Sequence, residues 1–190
     1  AFLGRPDDTP AGDAFERRLY VCRRTIEKKA DAEFALRDKI FYVCSMSSRT
    51  IVYKGMLVAT QMRRFFIDLN DAAVKTAVAL VHSRYSTNTT PSWERAHPNR
   101  FIIHNGEINT LKGNVNWIRA REPNLYSPVL QHDLERVMPI INREGSDSAI
   151  LDNVLEFLVM NGRPLTRAAS MLLPEPWDHN DSLSEERRAY

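Results

Sequence analysis

The sequence HSRYSTNTTPSWERAHPNRFIIHNGEINTLKGNVNWIRARE occupies residues 82–122 and contains the most informative pattern in the chain. Two short apolar stretches, Ala77 to Ser83 and Arg100 to Ile108, are separated by the polar, proline-containing segment Thr87 to Asn99. Short apolar runs bounded by polar segments are typical of buried strands. We therefore predict two strands here, with a loop between them that displays side chains.

Arg84 is the first candidate site residue, because it follows an apolar run. A guanidinium group at the end of a buried strand is costly unless it holds an anion, and it can bind a carboxylate through two parallel hydrogen bonds. A structural ion pair with a carboxylate of the fold is the alternative, since most arginine side chains are solvated or paired.

The pair Asn105-Gly106 is the second candidate. An Asn side-chain amide beside a Gly peptide N–H could direct two uncharged donors at one point, which is the geometry that an oxyanion requires. A tight hairpin turn is the alternative, because Asn-Gly is also a strong two-residue hairpin signal.

Asp147 is the third candidate. It follows the N-cap candidate Ser146, where the helix dipole favours negative charge, so helix stabilisation alone would explain an aspartate at this position.

Periodic apolar residues predict helices on both sides of this region. Phe15, Leu19, Cys22 and Ile26 recur every three or four residues after Asp13, which predicts an amphipathic helix that ends near Ala30. Further helices are predicted over Lys112 to Arg121, from Ser146 to Gly162 and from Pro164 to Pro174, and Ser182-Leu183-Ser184-Glu185 has the pattern of a helix start. Two more strands joined by a turn are predicted over Ile40 to Cys44 and Thr50 to Tyr53. This order predicts an α+β domain, with helices packed on a sheet.

Composition excludes several classes of protein. The 190 residues, 43% of them hydrophobic, suffice for one domain with a continuous core, and residues 1–12 are interpreted as a loop or a cut end. The net charge of +2 comes from interspersed charges, which disfavours nucleic acid as a partner. The longest apolar runs fall far short of the roughly 20 residues that a membrane crossing requires, and no leader pattern opens the chain, so a cytoplasmic protein is expected.

Metal and nucleotide sites are also disfavoured. Cys22 and Cys44 have neither CxxC spacing nor a nearby His, so we expect two buried, inert thiols. The five histidines never recur at i and i+4, and no phosphate-binding glycine motif is present.

Residues 82–122, with SSRTIVYKGML at 47–57 before them and EGSDSAILDNVLEFLVMNGR at 144–163 after them, resemble the glutamine amidotransferase domain of the glutamate synthase large subunit. The resemblance extends from about Asp13 to Tyr190. It implies the N-terminal-nucleophile hydrolase fold, a four-layer αββα sandwich. Residues 1–190 would form one partial domain that lacks the N-terminal strands.

The resemblance also implies an activity and roles for individual residues. Members of this family hydrolyse glutamine to glutamate and ammonia, which is transferred to 2-oxoglutarate, and the nucleophile is an N-terminal cysteine whose α-amino group is the base. Arg84, helped by Thr87, would bind the α-carboxylate of glutamine, and Asp147 would bind its α-ammonium group. Asn105 and Gly106 would form the oxyanion hole.

The chain departs from the family at the nucleophile. Its first residue is Ala1, and neither Cys22 nor Cys44 has a terminal amine as a base, so we expect an internal fragment that is inactive alone. FMN and an iron-sulfur cluster are expected in other domains of the parent enzyme and no cofactor in this chain. Expected partners are glutamine or glutamate, the remainder of the synthase chain or a complementary fragment, and further copies of the chain. A non-catalytic binding or assembly module is the competing hypothesis.

Overall fold

Seven α-helices form most of the regular structure in the computed structural model, which describes residues 3–33, 41–83, 90–106, 108, 111–142, 145–173 and 182–188. The helices are α1 (Asp13–Glu33), α2 (Ala59–Phe65), α3 (Leu111–Arg121), α4 (Leu134–Val137), α5 (Asp147–Met160), α6 (Leu165–Leu172) and α7 (Glu185–Arg188). Three short 3-10 turns cover Ile67–Asn70, Glu122–Asn124 and Gln131–Asp133.

The predicted helices are confirmed, and α5 shows why local sequence was sufficient. The Ser146 hydroxyl accepts a hydrogen bond from the Ala149 N–H at 3.2 Å, which satisfies one of the free donors at the helix start. Gly162, two residues beyond the last helical residue, has a φ of 86°, the left-handed conformation that commonly ends helices. The helix start predicted within residues 182–185 is also found, since α7 begins at Glu185.

The predicted strands are not formed within the part of the chain that the structure describes. A strand exists only when its N–H and C=O groups pair with a neighbouring strand. Around the predicted hairpin, serine side chains take those N–H groups instead, because the Ser47 hydroxyl accepts from Arg49 and Thr50 and the Ser45 hydroxyl accepts from Val52. The two sheets of the expected sandwich are therefore not seen among these residues.

The hydrophobic core lies between α1, α5 and the segment 130–141. Its buried members are Tyr20, Val21, Leu130, Val137, Ile140, Ile141, Ile150, Val154, Phe157 and Met160. Each of the three parts contributes apolar side chains to one cluster, so α5 is held against α1 by burial of apolar surface. This packing places the first turns of α5 beside residues 100–102, 104 and 108.

The inward face of α1 differs from the predicted one in its second half. Phe15 and Leu19 are buried as expected, but Cys22 is exposed and Ile26 is 38% exposed. Arg23 and Glu27 are buried instead, at 1% and 8% exposure. The prediction of a buried Cys22 was wrong because these charged residues turn toward charged partners in the interior, a pairing that apolar periodicity does not detect.

A buried network of charges joins α1, α5 and Arg100. Arg23 donates to both carboxylate oxygens of Glu27, at 3.0 and 2.8 Å, and to Glu156 at 2.5 Å. Arg100 donates to Glu27 at 3.0 Å. The charges compensate one another, which allows burial that would otherwise be very costly.

None of the described helices is both long enough and apolar enough to cross a membrane.

Candidate functional site

Asp152 of α5 anchors the segment that leads to the Asn105-Gly106 pair. Its carboxylate accepts hydrogen bonds from three consecutive backbone N–H groups, of Arg100 at 3.1 Å, Phe101 at 2.7 Å and Ile102 at 2.9 Å. These N–H groups are not used in a sheet, so the carboxylate satisfies donors that would otherwise be left in a partly buried position. Residues 100–102 are thereby fixed to the second turn of α5.

Two further contacts from the start of α5 hold residues 104 and 108. The Ser148 hydroxyl donates to Asp147 at 3.1 Å and lies 2.6 Å from Nε2 of His104. The other Asp147 oxygen accepts from the Ile108 N–H at 3.2 Å.

The Asn105-Gly106 pair lies between these contacts and is exposed. Gly106 has a φ of 151°, a backbone conformation that residues with a Cβ rarely adopt, and no heavy atom lies within 4 Å of where a Cβ would be. The pair forms a bend and not a hairpin turn, because no strand flanks it among the described residues. Its donors are thus presented on an open surface.

Three histidines are grouped next to this bend. The rings of His82 and His97 are stacked with centroids 4.5 Å apart, and the His104 ring meets His97 edge-on at 5.7 Å. Burial, followed by the nearby His82, His104 and Lys54, lowers the pKa of His97 from 6.5 to about 4. His97 is therefore neutral at pH 7.

Within the described ranges, no group of three or more His, Cys, Asp or Glu is arranged to hold a metal ion.

The environment of Asp152 disfavours its charge despite the three N–H donors. Burial and the neighbouring Glu156 carboxylate raise the pKa of Asp152 from 3.8 to about 6, while the backbone donors and Arg100 act in the opposite direction. The carboxylate form dominates at pH 7, and it accepts all three hydrogen bonds.

The structure brings three of the five predicted site residues together. Asn105, Gly106 and Asp147 belong to one surface, since Asp147 is bonded to Ile108, two residues after the glycine. Arg84 and Thr87 lie outside the described residues. Asp147 is also the first residue of α5, so the helix-stabilising role considered for it is compatible with its position.

Sequence reasoning missed the buried polar residues of α5. Ser148, Asp152 and Glu156 are spaced by four, which places them on one helical face, and they are 1%, 1% and 6% exposed. Three polar residues at this spacing inside an otherwise apolar helix are a signal that could have revealed the face. Its partners, 44 to 133 positions away, could not be read from the sequence.

An open cleft of about 620 Å³ lies elsewhere, and its lining does not include Asn105, Gly106 or Asp147. It is lined by side chains between Glu122 and Met138, among them Tyr126, His132 and Glu135. The Asn105-Gly106 surface remains the candidate site, because it is exposed and lies two residues from a backbone N–H that Asp147 binds, whereas cleft volume alone carries no chemistry.

Comparison with known proteins identifies the family of the chain. The family model of the class II glutamine amidotransferases matches residues 1–190. The chain is 52% identical, over 189 residues, to the glutamate synthase (NADPH) large chain of Bacillus subtilis, where the match covers 100% of this chain and 12% of that protein. It is 47% identical to glutamate synthase (NADH) of Schizosaccharomyces pombe, over 94% of this chain and 8% of that protein.

The chloroplastic ferredoxin-dependent glutamate synthase of Oryza sativa is 44% identical over 90% of this chain and 10% of its own length. The chain thus spans about a tenth of the length of these relatives. With a family match over its whole length, the chain belongs to the class II glutamine amidotransferases.

Proposed function

We propose that this chain supplies the oxyanion-binding and amino-acid-binding surface of a domain that hydrolyses glutamine to glutamate and ammonia. The observation that supports the proposal is the exposed Asn105-Gly106 bend, followed by Ile108, whose N–H donates to the Asp147 carboxylate at 3.2 Å. An uncharged pair of donors next to a carboxylate matches a substrate that has both an amide carbonyl and an α-ammonium group.

Asn105 and Gly106 are proposed to stabilise the tetrahedral intermediate. When a nucleophile attacks the side-chain amide carbon of glutamine, negative charge develops on the carbonyl oxygen. The Asn105 amide and the Gly106 N–H would donate to that oxygen. Donors of this kind act chiefly in the transition state, and the loss of one typically lowers kcat by about 100- to 1000-fold.

Binding of the substrate is assigned to Asp147, Arg84 and Thr87. Asp147 would pair with the α-ammonium group through the remaining lone pairs of its carboxylate, since one oxygen already accepts from Ile108 and the other from Ser148. The resemblance to glutamate synthase assigns the α-carboxylate to Arg84, with Thr87 as a further contact. A guanidinium binds a carboxylate at two points, which fixes orientation as well as charge.

The nucleophile proposed from the resemblance is an N-terminal cysteine, and neither Cys22 nor Cys44 fills that role. Cys22 is exposed on α1 and Cys44 is half-buried, and neither has an α-amino group as a base. We further propose that the ammonia is passed to 2-oxoglutarate elsewhere in a glutamate synthase, and that the described helices are outer layers of an αββα sandwich.

The test is a glutaminase assay on the full-length gene product that carries these residues, with glutamate release as the measurement. Asn105→Ala should lower kcat about 100- to 1000-fold with little change in KM. Arg84→Lys keeps the charge but loses the two-point contact, so it should mainly raise KM. The 190 residues alone should release no glutamate above a buffer blank.

Each outcome bears on a separate part of the proposal. If Asn105→Ala raised KM and left kcat unchanged, the oxyanion assignment would be withdrawn, because Asn105 would then act in ground-state binding. Glutamine binding without any release by the full-length protein would favour the non-catalytic module. Release by the 190 residues alone would contradict the role given to the N-terminal cysteine.

A further inference from the structure

Polar side chains buried along α5 need an explanation beyond helix packing. Ser148 and Asp152 are each 1% exposed, on a helix whose other buried residues are mainly apolar. A buried hydroxyl or carboxylate lowers stability unless it is hydrogen-bonded, and a larger apolar side chain at either position would contribute to the core instead. Both residues direct their polar atoms at the segment that precedes the candidate oxyanion donors.

The contacts bracket the Asn105-Gly106 bend and leave the bend itself untouched. Asp152 holds the backbone at residues 100–102, Ser148 holds the side chain at 104, and Asp147 holds the backbone at 108. Asn105 and Gly106 are exposed, so packing around them contributes little to their position. Their location therefore depends on the anchors on either side.

We propose that Ser148 and Asp152 are positioning residues for catalysis, which fix Asn105 and Gly106 where the oxyanion forms and do not touch the substrate themselves. This inference rests on the proposed glutaminase function. Transition-state stabilisation is sensitive to placement, since a displacement of about 1 Å can cost about 100-fold in rate. Ser148 acts through His104, and Asp152 acts through the backbone of residues 100–102.

Glu156 offers a matched control on the same helix. It lies one turn beyond Asp152 on the same face and is 6% exposed, but its carboxylate bonds to Arg23 of α1 and not to the anchored segment. Asp152→Asn and Glu156→Gln are both near-isosteric and both remove a buried carboxylate. They differ at residues 100–102, because the Asn amide keeps one acceptor oxygen and places an NH2 donor where the second oxygen was. At least one of the three N–H groups then loses its acceptor, whereas Glu156→Gln leaves all three bonded.

The experiment compares these variants in the full-length gene product, using glutamine and the release of glutamate. Asp152→Asn should lower kcat about 10- to 100-fold and change KM less than about twofold, because a misplaced donor affects the transition state more than the bound substrate. Ser148→Ala should lower kcat in the same way. Glu156→Gln should retain the wild-type kcat at a temperature where all variants are folded.

A double-mutant cycle separates positioning from a general loss of structure. If Asp152 acts through Asn105, then Asp152→Asn combined with Asn105→Ala should be little slower than Asn105→Ala alone. Hydrogen exchange supplies a readout without activity, in which Asp152→Asn should speed exchange of at least one of the Arg100, Phe101 and Ile102 amides relative to Glu156→Gln.

The proposal is overturned if Asp152→Asn matches Glu156→Gln in kcat, or if its effect adds fully to that of Asn105→Ala. If Asp152→Asn does not fold, Ser148→Ala decides, since it removes only a hydroxyl, and an unchanged kcat would reject the positioning role. A wild-type protein without glutaminase activity would overturn the proposed function first, and the positioning role with it.

Discussion

Arg23 is the residue whose burial carries the greatest energetic consequence. It is 1% exposed and pairs with Glu27 on its own helix and with Glu156 on α5. Replacing one member of a buried ion network leaves the others uncompensated. We expect Arg23→Met to reduce the free energy of unfolding by about 3 kcal/mol, measured by urea denaturation of the chain.

The control for this prediction is the exposed pair between Arg49 and Asp13, whose side chains are 53% and 74% exposed. Arg49→Met should cost no more than about 1 kcal/mol, because solvent and salt screen such a pair. Equal losses in the two variants would show that the Arg23 network does not stabilise the fold in the way the contacts indicate.

His97 makes stability depend on pH. Burial and its charged neighbours lower its pKa to about 4 from 6.5, so the unfolded chain binds a proton more readily than the folded chain between these values. The free energy of unfolding should therefore fall as the pH drops through this window, by at most about 1.4 kcal/mol per unit. Asp152, with its pKa raised to about 6, contributes in the opposite direction.

The test compares urea denaturation of the wild type and of His97→Gln at pH 7 and pH 5. Because the contribution of Asp152 is common to both proteins, their difference isolates His97. The variant should lose less stability on acidification than the wild type. Parallel losses in both proteins would contradict the assignment.

At the scale of elements, Gly→Ala substitutions at two positions should have opposite effects on stability. Gly113 lies in α3, and no atom is within 4 Å of an added Cβ, so Gly113→Ala should stabilise the chain by about 0.5–1 kcal/mol through helix propensity. At Gly55 an added Cβ would lie 2.3 Å from Cζ3 of Trp93. Gly55→Ala should destabilise by about 1–3 kcal/mol because the ring must move.

Thermal melting of Gly113→Ala, Gly55→Ala and the wild type tests both predictions. The expected order of melting temperatures is Gly113→Ala, wild type, Gly55→Ala. A neutral Gly55→Ala would mean that the Trp93 ring, which is 49% exposed, moves aside at little cost.

At the scale of the whole molecule, apolar side chains are exposed along residues 51–83. Lys54 is the one buried residue in this range, while Ile51, Ile67, Val78 and Val81 are between 72% and 83% exposed. Many exposed apolar side chains in one segment favour association. We expect the 190-residue chain to self-associate at micromolar concentration, as measured by light scattering.

Substitutions test whether this surface is responsible. Val78→Lys combined with Val81→Lys should reduce association, because charges on the surface must be desolvated when copies meet. Trp117→Lys on α3, where the ring is 66% exposed, is the control and should leave association unchanged. A monodisperse wild-type monomer with cooperative melting would count against the prediction.

The sequence by itself determined the main helices and suggested the residues of the candidate site. Helix hydrogen bonds and caps are local, so the periodicity of α1, α3, α5 and α6 and the cap at Ser146 were readable without tertiary information. Asn105, Gly106 and Asp147 were proposed because segments 82–122 and 144–163 resemble one family, whose chemistry these residue types suit.

Tertiary structure alone decided what those elements contact. The inward turn of Arg23, the three backbone N–H groups bound by Asp152 and the link from Ser148 to His104 all join residues far apart in sequence. Strand pairing is equally non-local, so apolar runs could suggest strands that the described residues do not form. Helices follow from neighbours in the chain, whereas buried charges and strands require partners that only folding brings close.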